Sequence, residues 1–402
     1  MLPALTPRQD DSASVSGFEA LRRCVGDIPR FIGDHWGQTP LHRAGVDGAG
    51  FGDLLTIADI DALISSGGLR LPRFRLLQDG KPIDPADYTK GAALTSSTRQ
   101  VDDQADPGRI YSFFDAGATI VLHALQEYWP PLARFCRQLE CALTHPVQAN
   151  AYITPRFAEG LSRHADTHDV IILQVHGRKQ WHVHEPGAGG DEPGALLFEG
   201  ELAPGDMLYI PRTFPHSART ESSSSAHITV GILAYQWRLV LKSVIDKIVY
   251  SLEESLPMGF ADDPAALSAL VAERLGDIKS KVDTIDPAAL ATATAQHFWS
   301  NRRPLLTGQL QHLLDLDQIV EQSTLRRRPG SVCKLRVESD RLFVLLGDRE
   351  LDMPARLEPA LRRIVAGKPF MVQDLADQLD EQGRLVLARR LAREGLLELV
   401  TP

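Results

Sequence analysis

The spacing of apolar residues changes three times along the chain. From Phe51 to Ile64 they fall at largely helical intervals (Leu54, Leu55, Ile57, Ala58, Ile60, Leu63, Ile64), and Leu69 to Leu77 alternates apolar with basic residues like a strand before the turn Gln78-Asp79-Gly80. Between 146 and 235 the runs are short and recur: Ala149 to Thr154, Asp169 to Val175, Gln180 to His184, Asp206 to Ile210 and His227 to Leu233. Turn-forming residues lie near their ends, which predicts a β-sandwich or barrel with loose connections at Glu185 to Gly194 and Glu221 to Ser225. From Trp237 the period becomes helical. Leu241, Val244, Ile245, Ile248, Val249, Leu252 and Leu256 form one long stripe, followed by helices over Pro264–Val282 and Pro287–Trp299. The tail reads as strands Cys333–Val337 and Arg341–Leu346, helices Ala355–Val365, Met371–Leu379 and Glu381–Glu394, and a strand Leu396–Val400. That order resembles a winged helix.

Composition narrows the class. At 402 residues, 43% hydrophobic and 24% charged, the chain is long enough for two or three globular domains. The net charge of −9 argues against a chain-wide nucleic-acid surface, and 351–402 carries eight basic against eight acidic residues. No apolar run approaches a membrane span, and the start lacks the basic and apolar regions of a secretory signal, so a cytoplasmic protein is expected. The four cysteines (Cys24, Cys136, Cys141, Cys333) show no C-x-x-C spacing and suggest neither a disulfide framework nor a zinc site.

Nine of the thirteen histidines lie between His123 and His227. Within that cluster His164 and Asp166 are two apart, which on a strand puts both on one face. Further on, Pro204-Gly205-Asp206-Met207-Leu208-Tyr209-Ile210-Pro211-Arg212-Thr213-Phe214-Pro215-His216 launches a short strand from a Gly-Asp turn and stiffens the approach to a single histidine. Two histidines and one carboxylate make the facial triad of non-haem Fe(II) oxygenases, whose open positions suit a chelating cosubstrate and O₂. His168 and His176 are rival ligands, and His182 and His184 are spaced to share a zinc ion.

Four motifs in order resemble the JmjC/cupin oxygenases of the ribosomal-oxygenase type. They are Asn150-Ala151-Tyr152-Ile153-Thr154-Pro155, His164-Ala165-Asp166, Val170 to Trp181, and Pro204 to His216. Fainter similarity extends to Asp34 to Leu41, to Phe114 to Ile120, and to the helical region and tail. The resemblance implies an α+β chain: a double-stranded β-helix (jelly-roll, cupin) core with an N-terminal elaboration over 1–236, a helical dimerisation region over 237–305, and a winged-helix-like domain over 306–402. It implies His164, Asp166 and His216 as ligands of Fe(II). Lys179 is implied as the cation for the distal carboxylate of 2-oxoglutarate, with Asn150, Tyr152 and Thr229 adding hydrogen bonds. The implied reaction uses O₂ to hydroxylate a side chain, histidine or arginine at the β-carbon, of a ribosomal protein or a ribosomally made peptide precursor. Alternatives are N-methyl-lysine demethylation and a non-catalytic metal-binding cupin. Two positions depart from the pattern: Arg163 stands where proline is expected, and Ala165 where a bulkier residue is usual.

Overall fold

The computed structural model describes residues 12–45, 48, 50–90, 103–187 and 193–400; part of the expected loop from Glu185 to Gly194 lies outside them. In chain order the barrel strands are β1 (Leu41–Arg43), β2 (Phe74–Gln78), β3 (Lys81–Pro82), β4 (Thr119–Leu122), β5 (Val147–Thr154), β6 (Glu159–His164), β7 (Asp169–Gly177), β8 (Lys179–His184), β9 (Leu196–Leu202), β10 (Met207–Ile210), β11 (His216–Arg219) and β12 (Ser225–Ile232). They form two antiparallel sheets, β1-β10-β7-β12-β5-β4-β2-β3 and β6-β11-β8-β9. This is the double-stranded β-helix that the resemblance implies.

Alternation along each strand decides what each face does. On β7, Ile171 and Leu173 face a layer of N-terminal helices, whereas Val170 and Ile172 point between the sheets to meet Trp181, Val183, Leu208 and Ile210. Buried on both faces, β7 reads in the sequence as an unbroken apolar run. On β5 the small Ala149 and Ala151 face the helices and allow close packing, while Tyr152 turns towards the barrel interior. The helix Pro130–Leu143 starts with prolines in its first turn and buries Leu132, Phe135, Cys136 and Leu139 in this layer.

Several elements differ from the expected ones. The segment from Phe51 makes turns, with Phe51 itself at φ 57°, and its helix begins only at Ile57, capped by the Thr56 hydroxyl and the Asp59 carboxylate. Strands β6 and β11 lack the apolar runs that marked β5, β7, β8, β10 and β12, and β9, expected by no such run, also joins the smaller sheet. The helix from Trp237 ends at Tyr250, so Leu252 and Leu256 fall outside it. Met371 to Leu379 contains one short 3₁₀ turn instead of a helix.

Beyond the barrel, helices Trp237–Tyr250, Pro264–Asp283 and Pro287–Ser300 bury only Ile248 and Phe298 among the described residues. The C-terminal part has its own core. A sheet of Phe370–Met371, Thr324–Arg327 and Leu397–Leu399 packs with the helices Glu358–Val365 and Glu381–Arg393, beside an antiparallel meander of Lys334–Glu338, Arg341–Leu345 and Glu350–Pro354. Arg384 bonds Glu321, and Arg389 donates to the Ile319 carbonyl, so both fold back onto this part of the chain.

A buried ionic knot joins the two cores. Glu140 accepts from Arg137 at 3.0 Å and pairs with Arg302, and Arg137 reaches the carbonyls of Gly330 and Arg303. Removing the shared carboxylate leaves two buried cations without a counter-charge. Glu140→Ala should therefore lower stability by about 3–5 kcal/mol, read from the urea midpoint. A loss below about 1 kcal/mol would mean that both guanidinium groups find other partners.

Candidate metal centre and its pocket

Strand pairing brings the two histidines together. β11 lies antiparallel to β6 with His216 directly opposite His164, and their ring centroids are 4.4 Å apart. Asp166 follows in the loop after β6, where its carbonyl accepts from the Thr213 amide at 2.8 Å, tying this loop to the one that leads into His216. Its Oδ1 lies 3.8 Å from His164 Nε2 and its Oδ2 3.8 Å from His216 Nε2. One donor atom from each residue lies within 4.8 Å of the others, and no second such group of three occurs among the described residues.

The tautomers suit a metal. His164 Nδ1 contacts the Ser162 carbonyl at 2.9 Å and His216 Nδ1 the Phe214 carbonyl at 3.0 Å. A carbonyl only accepts, so each Nδ1 carries the proton and each Nε2 presents a lone pair to the common point. Burial and the neighbouring His164 push the His216 imidazole towards its neutral form. Two imidazoles and one carboxylate are a donor set for a divalent transition metal with open positions.

The rival histidines stand elsewhere. His182 faces Glu199 at 3.3 Å, His184 contacts the Gly194 carbonyl, and His176 is exposed. His168 packs against Gly231 outside the ligand group.

Behind the metal centre the barrel closes around Lys179. This lysine is 3% exposed, its Nζ donates to Thr154 Oγ1 at 2.9 Å, and it pairs with no described carboxylate. Burial alone lowers its pKa from 10.5 to about 7. Gly160 leaves the space open: a Cβ there would lie 3.3 Å from Lys179 Nζ and 3.5 Å from Thr154 Oγ1. The same pocket is lined by Tyr152, Thr229, Trp181 and His227 together with the three metal-site residues. His227 Nδ1 and Trp181 Nε1 are buried there without a protein partner. A cation, a hydroxyl and two orphaned ring nitrogens are what a small dicarboxylate needs on leaving water.

Of the residues implied for the cosubstrate, Lys179, Tyr152 and Thr229 line this pocket and Asn150 does not. The Asn150 Oδ1 accepts from the Ala124 amide and from Gln148 Nε2, which braces the wall next to Tyr152. The sequence reading missed His227, Thr154 and Gly160. The signal for His227 was present, because it lies two residues before Thr229 on one strand and so shares its face. Its ring stacks on Tyr152 at 5.2 Å and meets Trp181 edge-on.

This fold and metal centre define a JmjC-type β-helix. Residues 121–239 match the JmjC domain family, and the chain carries that domain. The chain is similar to the bifunctional lysine-specific demethylase and histidyl-hydroxylase NO66 of Drosophila persimilis, at 29% identity over 51% of this chain and 30% of that protein. It is also similar to ribosomal oxygenase 1 of Gallus gallus, at 28% identity over 56% of this chain and 38% of that one. Both relatives thus extend well beyond the matched part. The Escherichia coli ribosomal oxygenase YcfD shares the fold over 94% of this chain and 99% of its own, with a TM-score of 0.57 and 18% identity. Another structure of YcfD, in complex with cobalt and 2-oxoglutarate, matches over the same shares with a TM-score of 0.53 and 18% identity.

Lys179 also gives a pH signature. Between pH 7 and 10.5 the unfolded chain holds this proton more tightly than the folded one, so stability should rise with pH across the window. Below pH 7 the cost is fully present. Lys179→Met should remove it, so the stability difference between the two proteins should shrink by up to about 1.4 kcal/mol per pH unit through the window. Urea unfolding at several pH values reads this, and a flat difference would mean that the buried amine keeps its proton.

Proposed function

We propose that this protein is an Fe(II)- and 2-oxoglutarate-dependent oxygenase that hydroxylates a side chain of a protein or peptide. The observation that carries the reading is the convergence of His164, Asp166 and His216 in one pocket with a buried Lys179 that has no carboxylate partner among the described residues. The three ligands would hold iron. Lys179 and Thr154 would receive the distal carboxylate of 2-oxoglutarate, and a proton taken up with that anion would restore the ammonium charge. Tyr152, His227, Thr229 and Trp181 would orient the remainder and keep water out. Bound iron, with O₂ and 2-oxoglutarate as the reductant released as succinate and CO₂, would supply the oxidising power, leaving the chain to position its substrates.

The similarity to ribosomal oxygenases supports a ribosomal protein as substrate, with histidine or arginine hydroxylated at the β-carbon; a ribosomally made peptide precursor fits the same site. With Fe(II) and 2-oxoglutarate the protein should form succinate, and His164→Ala, Asp166→Ala and His216→Ala should each abolish it while leaving far-UV circular dichroism unchanged. Succinate formation at the wild-type rate in these variants would remove the metal assignment. Formaldehyde release from an N-methyl-lysine peptide would move the reaction to demethylation.

We also infer a homodimer built on the helices after Trp237. Leu241 (50% exposed), Ile245 (40%) and Val249 (46%) on one helix and Leu275 (60%) on the next leave an apolar surface that the rest of the chain does not cover. Light scattering should report about twice the chain mass of 44.2 kDa at micromolar concentration, and Leu241→Lys with Ile245→Lys should return the monomer. A single-chain mass for the wild type removes the proposal.

A further inference from the structure

The two loops beside the candidate metal site, after β6 and before β11, have a second side. While Asp166 faces the metal centre, Thr167 and Thr213 face a separate cavity of about 650 Å³. The Thr213 amide is the donor to the Asp166 carbonyl, so the wall between metal and cavity is one layer of backbone thick. Asp169 and Arg212 continue this wall at the start of β7 and just past the end of β10.

The cavity's other walls are aromatic. Trp36 lies nearly parallel to His145, with ring centroids 6.0 Å apart, and Tyr235 meets His145 edge-on at 6.3 Å. The Tyr235 amide donates to His145 Nδ1 at 3.3 Å, which leaves Nε2 as the N–H of this imidazole. Trp237, 64% exposed, stands at the open side. Such rings give a flat, rigid platform with polar edges.

The charge of the cavity opposes that of the whole chain. Arg212 and Arg238 both line it, and neither guanidinium forms a hydrogen bond or ion pair with a described residue. Asp169, the one acid lining it, is 2% exposed, and its Oδ1 already accepts from the Tyr209 hydroxyl at 2.9 Å and the Arg212 amide at 3.2 Å. Two guanidinium groups without a described partner, lining a cavity with aromatic walls, match a carboxylate carried on a flexible side chain. An extended peptide advances about 3.3 Å per residue, so a residue a few positions from the one at the metal reaches across the Thr167 and Thr213 rim.

We propose that this cavity seats an acidic residue flanking the target residue of the peptide substrate, with Arg212 and Arg238 as its specificity-determining partners. The assignment rests on the oxygenase reading for its peptide ligand. It also reverses the preference that the net charge of −9 would suggest, because a local pair of free cations outweighs a screened distant field.

The test uses the full chain with Mn(II) and 2-oxoglutarate under anaerobic conditions. The probes are short acetylated and amidated peptides with a central arginine or histidine, carrying Glu, Gln or Lys two to four residues away. Tryptophan fluorescence reads binding, since Trp36 and Trp237 line the cavity. Glu peptides should bind about tenfold or more tightly than their Gln counterparts, the factor expected for a charged hydrogen bond. Arg212→Gln and Arg238→Gln should each reduce that ratio and together bring it near one, with Mn(II) affinity unchanged. Equal affinity for Glu and Gln peptides in the wild type, including no measurable binding of either, overturns the proposal. So does a ratio that survives in the double variant. Failure of the oxygenase reading has a separate signature, the absence of Mn(II)-dependent 2-oxoglutarate binding, and the same peptide ratio measured without metal then decides the cavity.

Discussion

Antiparallel strands hold directly opposite residues with their Cβ atoms about 4.5–5.5 Å apart, and the barrel uses that spacing to set His216 beside His164. The rest of the metal centre depends on it. Because strand side chains alternate, a one-residue slip between β6 and β11 would turn one imidazole to the opposite face. Two restraints hold the register in place. The Nδ1 contacts to the Ser162 and Phe214 carbonyls orient the rings, and the Thr213 amide bond to the Asp166 carbonyl fixes the loop that carries the third ligand. Phe214 anchors this turn in the core between the sheets, so the ligand geometry is inherited from apolar packing.

The pocket beside the candidate metal site holds a cation at a cost in stability. A lysine held at 3% exposure with only a threonine hydroxyl as partner disfavours its own charged form. A carboxylate entering the pocket would reverse that balance, since the ion pair would form where water cannot screen it. Gly160 belongs to the same arrangement, because any side chain there would press on the lysine head group. His227 completes it as an imidazole that burial and nearby Lys179 both keep neutral.

The parts after Trp237 have a different physical character. The C-terminal unit owns a compact core and is locked to the barrel layer through Glu140, Arg137 and Arg302. The helices between the two units bury almost nothing of their own, although their caps are well formed at Asp263 and Asp286. Helices of that kind draw their stability from packing, and Leu241, Ile245 and Val249 leave one face of the first of them uncovered by the described residues. The aromatic cavity beside the metal loops sits where this helical region leaves the barrel, with Tyr235 and Trp237 contributed by the junction.

The chain by itself determined the elements whose apolar pattern is continuous or periodic. β7 stands out because both of its faces are apolar, and the helix Pro264–Asp283 because proline opens it and its period persists. The order of motifs also pointed to His164, Asp166 and His216, which the fold brings together, and the resemblance pointed to Lys179, which lies in the same pocket. Strands β6 and β11 were invisible because they carry polar residues and take their conformation from pairing with each other. The cradle of Lys179 was equally hidden: Thr119, Thr154 and Gly160 come from β4, β5 and β6 and meet only when the sheets close. Local spacing records which way a side chain points, but which strands face one another is settled by register and sheet order, and those depend on contacts between residues far apart in the chain.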